Sequence, residues 1–100
     1  MGLREIPPFR LVPEPLNDEA ADLPGFKWAD AEAGTRHRLG GRPDAIQPLD
    51  YPNCPECGEE MNFYGQLDSI NDEFMLGDVG VVYVFVCFYC VEAQVTVQSH

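Results

Sequence analysis

One hundred residues with 6 basic and 17 acidic side chains, a net charge of −11, make one small domain whose surface repels phosphate backbones, which excludes a nucleic-acid-binding role. No stretch approaches the ~20 apolar residues of a membrane span, and Met1–Pro8 lacks the apolar centre of a signal peptide. A cytoplasmic protein that engages no membrane is therefore expected.

Proline divides the chain. All nine prolines fall at or before position 55, and eight of the eleven aromatics fall after position 50. Residues 1–35 read as an extended arm, because Pro7, Pro8, Pro13, Pro15 and Pro24 forbid a long helix. The arm still carries Phe9, Leu11, Val12, Leu16 and Leu23, too many apolar groups for a solvated tail, so it is expected to lie across a face or edge of the folded half. Residues 17–21 suit one helical turn capped by Asn17. Residues 28–33 suit another, closed by Gly34. Gly40-Gly41-Arg42-Pro43 lacks the lysine and following helix of a phosphate loop and reads as a tight turn.

Residues 36–100 form the expected β core. Met61, Phe63, Gly65 and Leu67 alternate with Asn62, Tyr64 and Gln66, which predicts a first strand. The segment from Asp68 to Glu73, followed by Gly77-Asp78, reads as a solvated connection; Ile70 occupies a ligand place that a calcium loop requires. Val79–Phe88 is almost wholly apolar, and β-branched or aromatic, which predicts a central strand buried on both faces. Val91, Ala93, Val95 and Val97 then alternate with Glu92, Gln94, Thr96 and Gln98, which predicts a strand with its polar side wet.

The four cysteines of the chain form two C-x-x-C pairs, Cys54-Pro-Glu-Cys57 and Cys87-Phe-Tyr-Cys90, separated by 29 residues. A two-residue spacer brings both sulfurs of a pair to one ion from a tight turn, so two pairs supply a tetrahedral site with Zn–S distances of about 2.3 Å. Each pair borders a predicted strand. The expected fold is a small antiparallel, zinc-ribbon-like sheet wrapped by a proline-rich, mostly irregular N-terminal segment, with a structural Zn²⁺ on Cys54, Cys57, Cys87 and Cys90. Such a site has no open position for water or substrate. An alternative stays open: Cys54-Pro-Glu-Cys57-Gly58 has the form of a rubredoxin knuckle, which holds iron, and C-x-x-C pairs also serve redox chemistry. The second pair lacks that proline and glycine.

Catalysis finds no support. Ser69 and Ser99 lie in no nucleophile motif, and no cysteine is left over once a metal is bound. His37, between Arg36 and Arg38, reads as structural or surface. Residues 51–100 carry eight acidic side chains and neither Lys nor Arg. That asymmetry either keeps a small protein soluble or faces a basic protein partner. The aromatics Tyr51, Tyr64, Phe74, Phe88 and Tyr89 read as an exposed cluster. Phe88 and Tyr89 lie within the second knuckle; together with Tyr64 they either pack on the arm or anchor a partner. Nothing in the sequence speaks to oligomeric state.

Gly40-Gly41-x-Pro43, Gln47, Pro52, Cys54-x-x-Cys57-Gly58, Met61, Phe63, Gln66-Leu67, Gly77-Asp78-x-Gly80 and Tyr83-x-Phe85-x-Cys87 resemble the bacterial YwqG-like family of uncharacterised proteins, over residues 36–98. The cysteine-glycine element, Met61, Gln66 and Phe85-x-Cys87 are similar to the C-terminal domain of programmed-cell-death-two proteins. The second resemblance implies an acidic, zinc-associated escort of a basic protein. The first carries no catalytic residues and points by analogy to an accessory or toxin-neutralising role. Together these readings describe a non-enzymatic, acidic adaptor, chaperone-like or toxin-neutralising module.

Overall fold

The computed structural model describes residues 5–24 and 33–99. Five antiparallel strands form one sheet in chain order: β1 (Phe9–Arg10), β2 (Arg38–Leu39), β3 (Asn62–Asp68), β4 (Val81–Cys87) and β5 (Glu92–Gln98). The three long strands coincide with the two alternating segments and the one continuous apolar run that predicted them. Among the described residues there is one short helix, α1 (Asp18–Asp22), which begins where expected, with the Asn17 side chain accepting the Ala20 N–H at 2.7 Å. The turn expected over residues 28–33 lies outside the described residues except for Ala33, which is followed by Gly34 at φ 85°.

The arm joins the sheet at its edge. Phe9 and Arg10 pair with Leu39 and Arg38, and the Gly41 N–H donates to the Ile6 carbonyl at 2.6 Å. Gly40 and Gly41 both adopt positive φ (73° and 66°), and a Cβ on Gly40 would lie 2.5 Å from the Pro7 carbonyl oxygen. Only glycine lets the arm cross the turn this closely.

The core is one-sided. Cys54, Met61, Phe63, Val81, Tyr83, Phe85 and Cys87 are buried, with Ile46, Leu49 and Tyr51 packed against them. Edge-to-face contact of Phe63 with Phe85 (centroids 5.8 Å apart) and the tilted contact of Tyr51 with Phe85 (5.3 Å) fill its centre. Tyr51 is thus half-buried rather than part of an exposed cluster.

Three expectations about side-chain orientation are corrected. The β3–β4 register shifts between Phe63 and Gly65. This bulge inserts one residue and reverses the alternation beyond it. Met61 and Phe63 face in, but so then do Gln66 and Asp68, while Leu67 is 52 % exposed. On β5 the polar side faces the core: Gln98 is buried, whereas Val95 and Val97 are exposed by more than half. Val82, Val84 and Val86, which pair with Val97, Val95 and Ala93, are only half-buried, so β4 is deeply buried on one face.

Polar side chains point inward because an irregular segment must be tied down there. Gln66 accepts from the Asp44 N–H (2.8 Å) and donates to the Arg36 carbonyl (2.8 Å). The Tyr83 hydroxyl donates to the Asp44 carbonyl and accepts from the Ile46 N–H. Gln98 accepts from the Gln47 N–H and donates to the Gln47 carbonyl. Three adjacent strands thereby bond backbone groups of Asp44, Ile46 and Gln47, in a segment that forms no strand of its own.

Asp68 and Asn71 also depart from the solvated connection expected there; both are buried. The Asp68 side chain is fully inaccessible and takes a two-pronged contact from Arg36 (Nε–Oδ2 2.8 Å, Nη2–Oδ1 2.9 Å). It accepts further bonds from the N–H groups of Gly34, Arg36 and Ser69. His37 is buried as well, and its Nδ1 accepts the Asp68 N–H at 3.0 Å. Its Nε2 is buried without a hydrogen-bond partner, and it is not part of the four-cysteine cluster.

Candidate metal centre

The two cysteine pairs form matched turns. In the first, the Gly58 N–H donates to the Cys54 carbonyl at 2.8 Å; in the second, the Val91 N–H donates to the Cys87 carbonyl at 2.8 Å. Each turn also aims an N–H at its first sulfur: Glu56 at Cys54 Sγ (3.4 Å) and Cys90 at Cys87 Sγ (3.5 Å). The first turn is closed by the bridge between Asn53 and Glu60, which leads into β3. The second turn connects β4 to β5. Adjacent pairing of β3 and β4 sets the turns side by side.

All four sulfurs, those of Cys54, Cys57, Cys87 and Cys90, lie within 4.8 Å of one another. They are free thiols. A tetrahedron with metal–sulfur bonds of about 2.3 Å has sulfur–sulfur edges of about 3.8 Å, and Cys57 Sγ lies 3.8 Å from Cys87 Sγ. The donor set therefore fits one tetrahedral ion and can hold a metal. Zinc and iron both suit four such thiolates.

The thiols are electrostatically uneven. Its backbone hydrogen bond from Cys90 holds the Cys87 thiol below the ordinary cysteine value. Desolvation and the neighbouring sulfurs push Cys90 up to about 12. Four ionised sulfurs at this spacing repel one another, and a cation is what relieves that repulsion.

Phe88 and Tyr89 project from the second turn, 49 % and 88 % exposed, and the half-exposed Tyr64 meets Phe88 with centroids 6.3 Å apart. Beside the cysteine cluster opens a cleft of about 590 Å³. Buried Met61 and Phe63 and half-buried Ile6 and Tyr51 give it apolar walls, and Cys57, Cys87 and Tyr89 close one end. Exposed Glu5, Glu59 and Glu60 also line it. Sequence reasoning counted these glutamates only as charge. The pair Glu59-Glu60 directly after a knuckle was the available signal, whereas Glu5 is brought there by the crossing of the arm over Gly41.

No protein-family model matches the chain, and no solved structure matches it. Over 66 residues it is 38 % identical to a protein of Salmonella typhimurium named "Uncharacterized protein YpfL". That stretch covers 66 % of this chain and 15 % of the relative. The chain thus spans a small part of the length of the relative it matches. Among the described residues no helix is long and apolar enough to cross a membrane.

Proposed function

We propose that this chain is a non-enzymatic, zinc-binding interaction module that docks a basic protein partner in the cytoplasm, as an adaptor, chaperone-like or toxin-neutralising protein. The family we propose for it is the YwqG-like one, on the run of motif residues from Gly40 to Cys87. The observation that carries the reading is the closed donor set: four protein sulfurs within 4.8 Å supply every corner of a tetrahedron, so an ion held there organises structure and leaves no position for a substrate. Zinc bound in this way would act as a cross-link between the two turns.

The surface that this clasp organises is acidic, with eight carboxylates and no Lys or Arg in residues 51–100. Such a field steers positively charged partners and repels nucleic acid. Phe88, Tyr89 and Tyr64 supply exposed aromatic area next to it, the residue type that anchors interfaces.

Two measurements test the reading. Protein purified without added metal is expected to be colourless and to contain one zinc per chain. Visible absorbance from iron would instead favour the rubredoxin-like alternative, which the Cys54-Pro-Glu-Cys57-Gly58 knuckle suggests. Capture from the native host, followed by association kinetics with the captured protein, is expected to give an on-rate that falls steeply with salt. A salt-independent on-rate removes the basic partner from the account.

A further inference from the structure

We propose that the cleft beside the cysteine cluster is a receptor for a single arginine side chain presented by the partner. This inference rests on the reading that the partner is a basic protein, and it names the place and the chemical group.

An arginine side chain has two unlike parts, a three-carbon apolar stem and a planar, weakly hydrated cation that stacks on aromatic faces and binds carboxylates with two parallel bonds. The cleft offers both complements. Its apolar wall (Ile6, Met61 and Phe63) suits the stem, and the rings of Tyr51 and Tyr89 suit a stacked guanidinium. Glu5, Glu59 and Glu60 supply the counter-charge. A volume of about 590 Å³ admits an arginine side chain together with the chain that flanks it.

Two features of the chain itself report the same preference. Arg42 already pairs with Glu5 at the cleft (Nε–Oε1 3.3 Å), with both side chains largely exposed. A guanidinium therefore finds a carboxylate here, in a pair loose enough to exchange. The Tyr51 phenol also registers the field: burial pushes it above its ordinary value, Glu5 and Glu60 add to that shift, and Arg42 opposes it. Charges from the arm, the turn and the first knuckle thus converge on one aromatic wall. Arg42 neutralises one of the three glutamates and leaves a net negative cleft for an incoming cation.

The test is a titration of the ¹⁵N-labelled 100-residue chain with N-acetyl-arginine amide, its lysine analogue and the uncharged isostere N-acetyl-citrulline amide. The arginine compound is expected to shift the amides of Tyr51, Glu59, Glu60 and Asn62 with an apparent Kd of about 1–10 mM. Lysine should bind several-fold more weakly, and citrulline at least tenfold more weakly. Glu60→Gln should weaken arginine binding at least threefold, and Arg42→Ala should strengthen it by removing the internal competitor. Equal shifts from citrulline overturn the proposal, as do shifts centred on Asp72, Glu73 and Asp78 or the absence of any cleft response. Salt-sensitive binding of an intact basic protein without cleft shifts would sink this inference while leaving the parent reading standing. Cleft shifts with no basic protein partner would do the reverse.

Discussion

Gly58 and Val91 occupy the same position in two matched turns, each directly after the second cysteine of its pair and each in left-handed conformation, at φ 77° and 57°. Both donate their N–H to the carbonyl of the first cysteine in the turn, at 2.8 Å. The geometry is what a C-x-x-C turn needs to present two sulfurs together. Glycine adopts it freely, whereas a β-branched residue there is strained by about 1–2 kcal/mol.

Val91→Gly should therefore stabilise the protein. Val91 is 88 % exposed, so little packing is lost, and relief of strain outweighs the greater freedom that glycine gives the unfolded chain. The expected net gain is about 1 kcal/mol, read as a rise in Tm of about 4–8 °C at fixed metal concentration. Gly58→Ala should shift Tm the other way by a similar amount. A Cβ at Gly58 meets no atom within 4 Å, so that cost is torsional. A fall in Tm for Val91→Gly would show that the second turn is not strained.

Cys87→Ser should cost both metal and fold. Cys87 ends β4, is buried, and lies 3.8 Å from Cys57 Sγ. Structural zinc contributes on the order of 10–16 kcal/mol in finger peptides, as much as the whole stability of a small domain. Loss of one sulfur opens the site and frees the β4–β5 connection. Metal analysis should show less than one ion per chain, and amide dispersion should collapse for residues 81–98. Native-like dispersion in the metal-free variant would mean that the core suffices without the clasp.

Much of this arrangement is legible in the sequence because its signals are local. The C-x-x-C spacing defines the turns, the alternation of apolar and polar residues locates β3 and β5, the unbroken apolar run of residues 79–88 locates β4, and Asn17 marks the start of α1. Facing is another matter. A single-residue bulge near Tyr64 reverses the inner and outer sides of β3, and nothing in Phe63-Tyr64-Gly65 announces it beyond the glycine. Gln66, Asp68 and Gln98 look like solvent-facing residues until residues 34–48 fold back over the sheet to meet them. The cleft is hidden for the same reason: Glu5, Gly41 and Glu60 become neighbours only through long-range closure.

The Arg36–Asp68 pair gives stability a dependence on pH. Burial alone would raise the Asp68 carboxyl, but the hydrogen bonds and charge of Arg36 and the Gly34 N–H hold it below the ordinary value of 3.8. A lowered carboxylate contributes stability that is complete above the unfolded value and is lost as pH falls through the lower folded value. Asp68→Asn removes this charge in both states, so wild type should exceed the variant by about 3 kcal/mol near neutrality. The difference should shrink as pH drops below about 4. Metal loss in acid affects both proteins, so their difference isolates the pair. An advantage that grows on acidification would contradict the assignment.

The orientation of β5 yields a reversal of the usual ranking of apolar over polar positions. Val97 and Gln98 are neighbours in sequence on opposite faces, the first 54 % exposed and the second 9 %. Val97→Thr keeps a β-branched shape at a half-exposed place opposite Val82, so its effect should lie within about 0.5 kcal/mol. Gln98→Ala removes the amide that bonds both the Gln47 N–H and the Gln47 carbonyl in a partly buried setting, and each lost hydrogen bond costs about 0.5–1.5 kcal/mol. Urea midpoints compared at constant slope measure both. If the valine substitution proves the costlier, β5 presents its apolar side to a packed neighbour in solution. In that event residues 44–47 are not the segment that β5 holds in place.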